Sequence, residues 1–354
     1  MKIRNLFISG VCLLAVLFTS CDKDLDLTAD YKNITFTYAI LNQNDSIHYF
    51  KIYKGFLTDD NAYVAASGWE NIYYPVDSIE VRLEEISESG RLIRTAVLDT
   101  TTQVDKTNGY FAHPKQLLYY SNWKLSTNNT YKLVVKNVNN GKEVYAVTPI
   151  VGNFSLRNPQ QTWNMNLENP YTIRFYAAEH SAAYDLYMSF YFIEVNRTTG
   201  EIKHKVLTKK LNSDFIRSTT TNEVSFVGFV PKTFYEYIAQ NIQADDNIDR
   251  YIDAINGKPY SCIRLTLWAA DKTFLNYYNV SHPNTSVVQN RLEYTNFISE
   301  DETAYGILAS RNSCHRDLQF NSLEHNEDTL VKGQMTKHLN FNYYRNSPLF
   351  PSEP

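Results

Sequence analysis

The chain has 354 residues and a net charge of −4, with 43% hydrophobic and 20% charged residues. A hydrophobic fraction of this size supports packed cores, and without a basic excess a nucleic-acid partner is not expected. Tyrosine (27) and phenylalanine (19) are the compositional outliers, and because both favour half-buried strand positions, the composition predicts a mainly β protein.

Residues 1–20 have the layout of a secretory signal peptide, with a positively charged start, an apolar stretch over 6–18 and small residues before Cys21. Residues 17–21 (Leu-Phe-Thr-Ser-Cys) also resemble a lipobox, in which the cysteine becomes the acylated first residue of the mature chain. The alternative is an ordinary cleaved signal followed by a chance cysteine. The lipobox interpretation predicts a membrane-anchored lipoprotein, held by acyl chains such as palmitate on Cys21.

Residues 21–32 are predicted to form a lipidated tether. The acidic stretch 22–26 (Asp-Lys-Asp-Leu-Asp) resembles the surface-export signal of lipoproteins from Bacteroidetes-type bacteria. A plain solvated tether would have a similar composition. The expected location is therefore the outer membrane, on either the cell surface or the periplasmic face.

Residues 33–150 contain short alternating runs separated by turn residues, which predicts an Ig/fibronectin-III-like β-sandwich. The run 79–83 (Ile-Glu-Val-Arg-Leu) has the alternation of a half-buried strand. Residues 139–141 (Asn-Asn-Gly) predict a tight hairpin with both central residues at positive φ. Proline and glycine within 148–152 suit a boundary between two domains.

Tyr131 lies six residues after Leu125 and begins an alternating stretch with Leu133 and Val135. This spacing resembles the tyrosine corner of fibronectin type III and Ig-like domains, in which the hydroxyl bonds to upstream backbone and fixes the crossover between sheets. The alternative is a hairpin strand that begins with tyrosine by chance. The resemblance implies a buried ring and a structural role.

Trp69, Tyr73 and Tyr74 form the best binding candidate in the sequence, because they lie in a loop-like stretch between Gly68 and Pro75. Exposed aromatic side chains on a loop can stack on sugar rings or anchor a protein partner. The alternative is that these three rings cover the end of the sandwich.

Residues 151–345 predict a second antiparallel β domain with one or two inserted helices. The isoleucine spacing predicts one helix near 232–255, and Asp271 is a candidate N-cap for a second near 271–279. The residues from about Tyr344 onward are expected to fray.

Two cysteines, Cys262 and Cys314, remain in the mature chain after Cys21. In an oxidising compartment they could pair, or they could be two buried thiols, and their spacing does not decide between these alternatives.

Known catalytic and metal-binding patterns find no match in the sequence. It lacks a G-x-S-x-G elbow, a phosphate-binding loop, H-E-x-x-H and C-x-x-C. Asp245, Asn247 and Asp249 resemble half of a calcium loop, but Arg250 and Asn256 stand where that loop requires glycine and glutamate. We therefore expect no cofactor, no metal and no enzymatic activity.

Two segments near the C-terminus resemble a family signature. Residues 294–296 (Tyr-Thr-Asn) and 305–309 (Tyr-Gly-Ile-Leu-Ala) are similar to the "Y-x-N" and "G-Y-G-I-F-A" strands of an uncharacterised family of Bacteroidetes-type lipoproteins. The resemblance implies a lipobox, an N-terminal β-sandwich and no defined activity. It also implies a TonB-dependent outer-membrane receptor as a partner.

Three hypotheses follow. The leading one is a non-enzymatic lipoprotein that binds an outer-membrane transport protein, and the alternative is a surface glycan-binding module. An enzyme has the least support. An open cleft with coplanar aromatic rings would favour a glycan, whereas a broad apolar patch would favour a protein partner.

Overall fold

The structure is a computed structural model that describes residues 34–58, 61–163, 167, 170–217, 224–282, 294–300, 304–320 and 326–351. The predicted signal peptide, Cys21 and the tether lie outside the described residues. In these ranges, no helix is long and apolar enough to cross a membrane.

The protein is mainly β, as its composition predicts. The strands are β1 (Thr35–Leu41), β2 (His48–Lys54), β3 (Ile79–Ser87), β4 (Leu92–Val97), β5 (Asp99–Thr101), β6 (Leu118–Ser121), β7 (Asn129–Asn137), β8 (Glu143–Pro149), β9 (Leu156–Asn158), β10 (Thr162–Trp163), β11 (Tyr171–Tyr176), β12 (Ala183–Asn196), β13 (Ile202–Lys210), β14 (Ile216–Arg217), β15 (Val224–Phe229), β16 (Ile248–Ile252), β17 (Ser261–Ala270) and β18 (Ala304–Phe320). The α-helices are α1 (Ala62–Ser67), α2 (Trp69–Ile72), α3 (Lys232–Asn241), α4 (Lys272–Ser281) and α5 (Asn326–Lys332).

The first eight strands form the predicted Ig/fibronectin-like sandwich. One sheet has the order β5-β6-β2-β1 and the other has the order β4-β3-β7-β8. Leu83 on β3 lies opposite Leu133 on β7, and both side chains are fully buried between the sheets. Alternation of apolar and polar residues thus places one face of each strand in a shared core.

Tyr131 has the geometry of the predicted tyrosine corner. Its ring is fully buried, and its hydroxyl accepts a hydrogen bond from the backbone N–H of Ser126 at 2.8 Å. The same hydroxyl donates to Oε1 of Glu85 at 2.8 Å. Asn129 donates to that oxygen at 2.6 Å, and Arg94 bonds to the other oxygen of the carboxylate.

Burial raises the pKa of Tyr131 to about 12. Burial also opposes ionisation of Glu85, but these three hydrogen bonds outweigh it and lower its pKa.

The long strand β18 joins the two halves of the chain. Residues 304–310 pair in parallel with β1, and residues 311–319 pair antiparallel with β17. Gly306 allows the first contact, because a Cβ built on it would lie 1.9 Å from the carbonyl oxygen of Thr37 and its φ is +112°. The sandwich core therefore takes in residues from the far end of the chain, including Leu308. The division at residue 150 stays a prediction.

Asn296 joins the two segments that carry the sequence resemblance. Its side-chain amide donates to the carbonyl of Leu308 at 2.9 Å and accepts from the N–H of Leu308 at 3.0 Å. The asparagine of the Tyr294–Asn296 segment thus pairs with the backbone of β18 as a neighbouring strand would.

The second half of the chain is mainly β with a few helices, as predicted, and its strands form two layers. One layer continues the long sheet in the order β18-β17-β12-β13, and the other has the order β15-β11-β9. The core between them includes Phe175, Phe190, Leu265 and, from α3, Phe234.

The predicted helix over 232–255 is only partly correct. The helix α3 ends at Asn241, and Ile248–Ile252 forms β16, in which Ile252 lies opposite Phe192 of β12. The isoleucines at 248 and 252 are four residues apart, a spacing that suits one face of a helix and also one face of a strand. Pairing with the edge of the sheet decides in favour of the strand. Asp245 and Asp249 therefore do not lie on a helix, although the predicted helix near 232–255 included both positions.

Two further expectations are corrected. The hairpin at 137–143 forms, but only Gly141 has positive φ (+73°), so the turn differs from the predicted one. Residues 344–351 are not frayed at their start: the ring of Tyr344 is buried, and its N–H donates to Oε1 of Glu327 at 2.6 Å.

Asp271 caps α4, as predicted, and also lies at the junction of the two halves. Its Oδ1 accepts from the N–H of Phe274 at 2.8 Å. Its Oδ2 accepts from the hydroxyl of Thr148 and from the N–H of Ser310, both at 3.0 Å. Burial of this carboxyl raises its pKa to about 6, against the opposing effect of the hydrogen bonds.

Candidate functional site: an aromatic cleft and an apolar tip

The predicted aromatic loop does not form an open platform. Trp69 begins α2 and is partly exposed, but Tyr73 and Tyr74 are buried. The ring of Tyr73 lies 4.3 Å from that of Trp69, and the hydroxyl of Tyr74 bonds to that of Thr35 at 2.9 Å. Tyr74 thus packs in the core of the sandwich, and Tyr73 packs in a small separate cluster with Ile72 and Leu117.

Cys262 and Cys314 are unpaired thiols. Cys314 lies opposite Leu267, five residues along β17 from Cys262, which separates the two by about 17 Å along the strand. A disulfide needs Cα atoms within about 7 Å, so the pairing considered from the sequence is wrong. Burial raises the pKa of both thiols, that of Cys314 to about 11.

Within the described residues, no group of three or more His, Cys, Asp or Glu side chains could hold a metal ion. Cys314 and His315 are adjacent on β18, where neighbouring side chains point to opposite faces of the sheet.

An aromatic cleft lies on the outer face of the long sheet, with a volume of about 340 Å³. Its floor comes from outward-pointing side chains of neighbouring strands, namely Tyr187 of β12, Trp268 of β17 and Arg311 of β18. Trp268 lies opposite Asp185, and Arg311 lies opposite Ala270, so the pleat brings these side chains to one face. The indole of Trp268 is 36% exposed.

The walls of the cleft are aromatic rings that meet edge to face. The ring of Phe215 lies 4.7 Å from that of Tyr278 at an interplanar angle of 78°, and 6.5 Å from that of Phe274 at 79°. Tyr278 and Phe274 are carried by α4, which Asp271 caps. Because the rings stand as walls at right angles, the cleft is an aromatic box and not a flat stacking platform.

Of the charged side chains at the cleft, Asp185 has an ion-pair partner and Arg311 packs on a ring. Asp185 forms an ion pair with Lys210 at 2.8 Å and accepts from the amide of Asn212 at 2.9 Å. The guanidinium of Arg311 lies 5.2 Å from the centroid of Trp268. In the described part of the chain, the side chain of Arg311 forms no hydrogen bond or ion pair.

A ladder of rings covers the same outer face on the sandwich side of α4. Phe36 stacks on Tyr53 at 5.5 Å and on Tyr305 at 5.7 Å, with interplanar angles of 18° and 27°. Tyr38 stacks on Tyr53 at 6.1 Å and meets Tyr277 of α4 edge to face. Burial and neighbouring tyrosines raise the pKa of Tyr53 above its usual range. Since each stacked face is covered by the next ring, this ladder leaves little free ring surface for a sugar.

An apolar tip lies at one end of the sandwich and consists of Tyr63, Val64, Tyr110 and Phe111. Their exposed fractions are 65%, 67%, 71% and 42%. The rings of Tyr63 and Tyr110 lie 4.8 Å apart, and a hydrogen bond of 3.1 Å joins the N–H of Ala112 to the carbonyl of Ala66. Two separate segments are thus held together as one exposed apolar surface.

The tip lies near the first described residue. The N–H of Gly55 donates to the carbonyl of Ile34 at 2.7 Å, and the next residue, Phe56, packs on the same small cluster as Ala112. The ring of Tyr53 lies 6.0 Å from that of Phe111. The first described residue, Ile34, therefore lies at the end of the sandwich that carries the tip.

Neither surface is apparent from the sequence, because each is assembled from distant segments. The cleft draws on β12, β17, β18, α4 and the chain near Phe215. One feature of the sequence does point to the cleft: Trp268 occupies an outward position of β17, between the buried Leu267 and Ala269. For the tip, the signal is the pair Tyr110-Phe111 inside a polar loop.

Comparisons with known proteins do not identify a family, since no family model and no curated protein match the sequence. A solved structure of the C-terminal globular domain of an oligosaccharyltransferase from Pyrococcus abyssi is 12% identical, with a TM-score of 0.22, and the match covers 57% of this chain and 39% of that one. Trypsin-activated alpha-2-macroglobulin from Escherichia coli is 9% identical over 68% of this chain and 14% of its own, with a TM-score of 0.18. CBD12 from CALX1.2 is 7% identical over 81% of this chain and 100% of its own, with a TM-score of 0.16. Likenesses this low carry no functional argument.

Proposed function

We propose that this chain is an exported lipoprotein, anchored in the outer membrane through Cys21, that binds a partner protein and does not catalyse a reaction. The observation that carries the proposal is the apolar tip at the end of the sandwich where Ile34 lies. Surface aromatic residues that are this exposed and contiguous are typical of protein–protein contacts.

The position of the tip suits a partner embedded in the membrane. Residues 21–33 can span at most about 45 Å when fully extended, so the acylated end keeps this end of the sandwich near the bilayer. A membrane-embedded transport protein, which the sequence resemblance implies as partner, would present its surface at that level. In this proposal, the contact is made by the four residues of the tip, Tyr63, Val64, Tyr110 and Phe111.

The alternative, a glycan-binding module, has less support. Tyr73 and Tyr74 are buried, the rings of the cleft meet at angles near 78°, and the stacked ladder covers its own ring faces. A sugar platform needs an open ring face, and a broad apolar patch fits a protein partner better.

Anchoring is tested by Cys21→Ser. Because acylation requires the thiol, we expect the variant to move from the membrane fraction to the soluble exported fraction. Fractionation of cells that express each form, followed by immunoblotting, gives the result. Retention of the variant in the membrane pellet would contradict the lipoprotein proposal.

Docking is tested by the double variant Tyr63→Ser/Tyr110→Ser. We expect recovery of an outer-membrane transport protein with this chain, purified from native membranes, to fall at least about tenfold, since interface aromatics typically contribute 2 kcal/mol or more. Both residues are exposed, so stability should change little.

The matched control is Tyr49→Ser/Val206→Ser, which removes one aromatic and one aliphatic side chain that are exposed elsewhere. It should leave recovery unchanged. Equal recovery of the transport protein with the tip variant and with the control would overturn the proposed docking surface. The proposal would also be overturned if the tip variant kept the transport protein but lost binding to protein-free lipid vesicles, because the tip would then contact lipid.

A further inference from the structure

The aromatic cleft has one arginine, Arg311, on its lining. In the described part of the chain, the side chain of Arg311 makes no ion pair or hydrogen bond, and its guanidinium is positioned over Trp268 at 5.2 Å from the ring centroid. The other long cation beside the cleft, Lys210, is paired with Asp185 at 2.8 Å and lies 5.2 Å from the ring of Phe215.

These charges select against a cationic ligand. Aromatic boxes commonly hold ammonium groups, but here Lys210 and Arg311 already occupy positions over two of the rings. On the lining, the charged side chains are Arg311 and Asp185, and Asp185 is neutralised by Lys210 beside the cleft. Arg311 therefore supplies one positive charge that no ion pair balances within the described residues. A monovalent anion balances that charge, and a guanidinium offers two parallel donors that match a carboxylate.

The cleft also has a defined size and lining. About 340 Å³ lies at the lower end of the range for small-ligand sites. Apart from Arg311 and Asp185, its surface is provided by side chains such as Trp268, Phe274 and Tyr278. This lining suits one ring-sized body attached to the charged group.

We propose that the cleft binds an organic carboxylate, with the carboxylate on Arg311 and its ring-sized body between Trp268, Phe274 and Tyr278. The carboxylate could belong to a small apolar acid or to a uronic acid residue of a glycan, since both combine one negative charge with one ring. The proposal does not depend on docking through the tip, which lies on the sandwich end of the molecule.

The chain contains four tryptophans, so 5-fluorotryptophan labelling gives four ¹⁹F NMR signals, and Trp268→Phe assigns the one from the cleft. The full mature chain is titrated with 4-phenylbutyrate and, as the uncharged match, 4-phenylbutyramide. Glucuronate and glucose form the corresponding pair for a sugar. We expect the Trp268 signal to shift with at least one carboxylate at about 10 mM or less, and its uncharged match to bind at least about tenfold more weakly.

Arg311→Gln should weaken binding of that carboxylate at least about tenfold, because it removes the charge while keeping a polar side chain. Arg174→Gln is the control, since Arg174 is also exposed but lies on β11, outside the cleft. A response to glucuronate alone assigns the site to acidic sugars, and a response to 4-phenylbutyrate alone assigns it to apolar acids. The proposal is overturned if neither carboxylate shifts the Trp268 signal, if the uncharged probes bind equally well, if tetramethylammonium binds instead, or if Arg311→Gln binds like the wild type.

Discussion

Replacement of Tyr131 by alanine is expected to lower the free energy of unfolding by about 3–5 kcal/mol, as is typical when a large buried aromatic is truncated. The ring is fully buried between the sheets, and its hydroxyl links the backbone of Ser126 to the carboxylate of Glu85. The alanine variant therefore leaves a cavity, and it removes a donor from a largely buried carboxylate. Denaturant melts of the full mature chain measure the change.

Two variants calibrate this prediction. Tyr131→Phe keeps the ring and removes only the hydroxyl, so it should lose about 1–3 kcal/mol through the unpaired groups at Ser126 and Glu85. Tyr49→Ala truncates a partly exposed tyrosine on β2 and should change stability by less than about 1 kcal/mol. A loss below about 1 kcal/mol for Tyr131→Ala would place the ring outside the core and remove the tyrosine corner.

Replacement of Asp271 by alanine is expected to lower stability by about 2–4 kcal/mol at pH 7. The variant removes the N-cap of α4, which typically contributes 0.5–2 kcal/mol. It also leaves the buried N–H of Ser310 without its acceptor, and it removes one of the two acceptors of the Thr148 hydroxyl, the other being the carbonyl of Pro149 at 3.1 Å. Asp271→Asn keeps a side-chain oxygen for the cap, so it should retain more of the stability than alanine.

The same residue predicts a pH dependence with a definite sign. Burial raises the pKa of Asp271 in the folded protein to about 6, from an ordinary value of 3.8. A raised carboxyl pKa contributes stability that is fully present below about pH 3.8 and is lost as the pH rises through about 6. Between pH 4 and pH 7 the wild type should therefore lose up to about 3 kcal/mol relative to Asp271→Asn, which cannot titrate. Melts of both proteins at each pH measure it, and a difference independent of pH would contradict the raised pKa.

Local patterns in the sequence predict much of the fold. Alternation predicts β3, the Leu125–Tyr131 spacing predicts the corner, and Asp271 marks the start of α4. Each of these features depends on residues close together in the chain, where side-chain periodicity and capping act directly.

The features that the sequence does not reveal depend on distant partners. Residues 248–252 have isoleucines at a helical spacing, but β12 supplies a strand edge that they complete. Tyr344 is held by Glu327 and by the main core. The parallel pairing of β18 with β1 joins segments nearly the whole chain apart, and only Gly306, with no Cβ to meet Thr37, hints at a close approach.

The two candidate surfaces, the cleft and the tip, also depend on segments that are distant in the sequence. Trp69, Tyr73 and Tyr74 lie close together in the sequence, so the sequence identifies them as a group. In the structure, Tyr73 and Tyr74 are buried and pack in the interior. The cleft and the tip become visible only when β18, α4 and the loop at 110–112 are placed in space. Exposure in three dimensions, and not clustering in the sequence, separates binding aromatics from packing aromatics here.

The most direct test of the proposed role is site-specific photo-crosslinking from the tip in intact outer membranes. A photoreactive amino acid replaces Tyr110, and a matched variant carries it at Val206, which is exposed on β13 far along the chain. We expect the Tyr110 position to crosslink to a membrane-embedded transport protein, identified by mass spectrometry, and the Val206 position to give no such product. Crosslinks from Tyr110 to lipid alone, or the same products from both positions, would contradict docking of the tip on a protein partner.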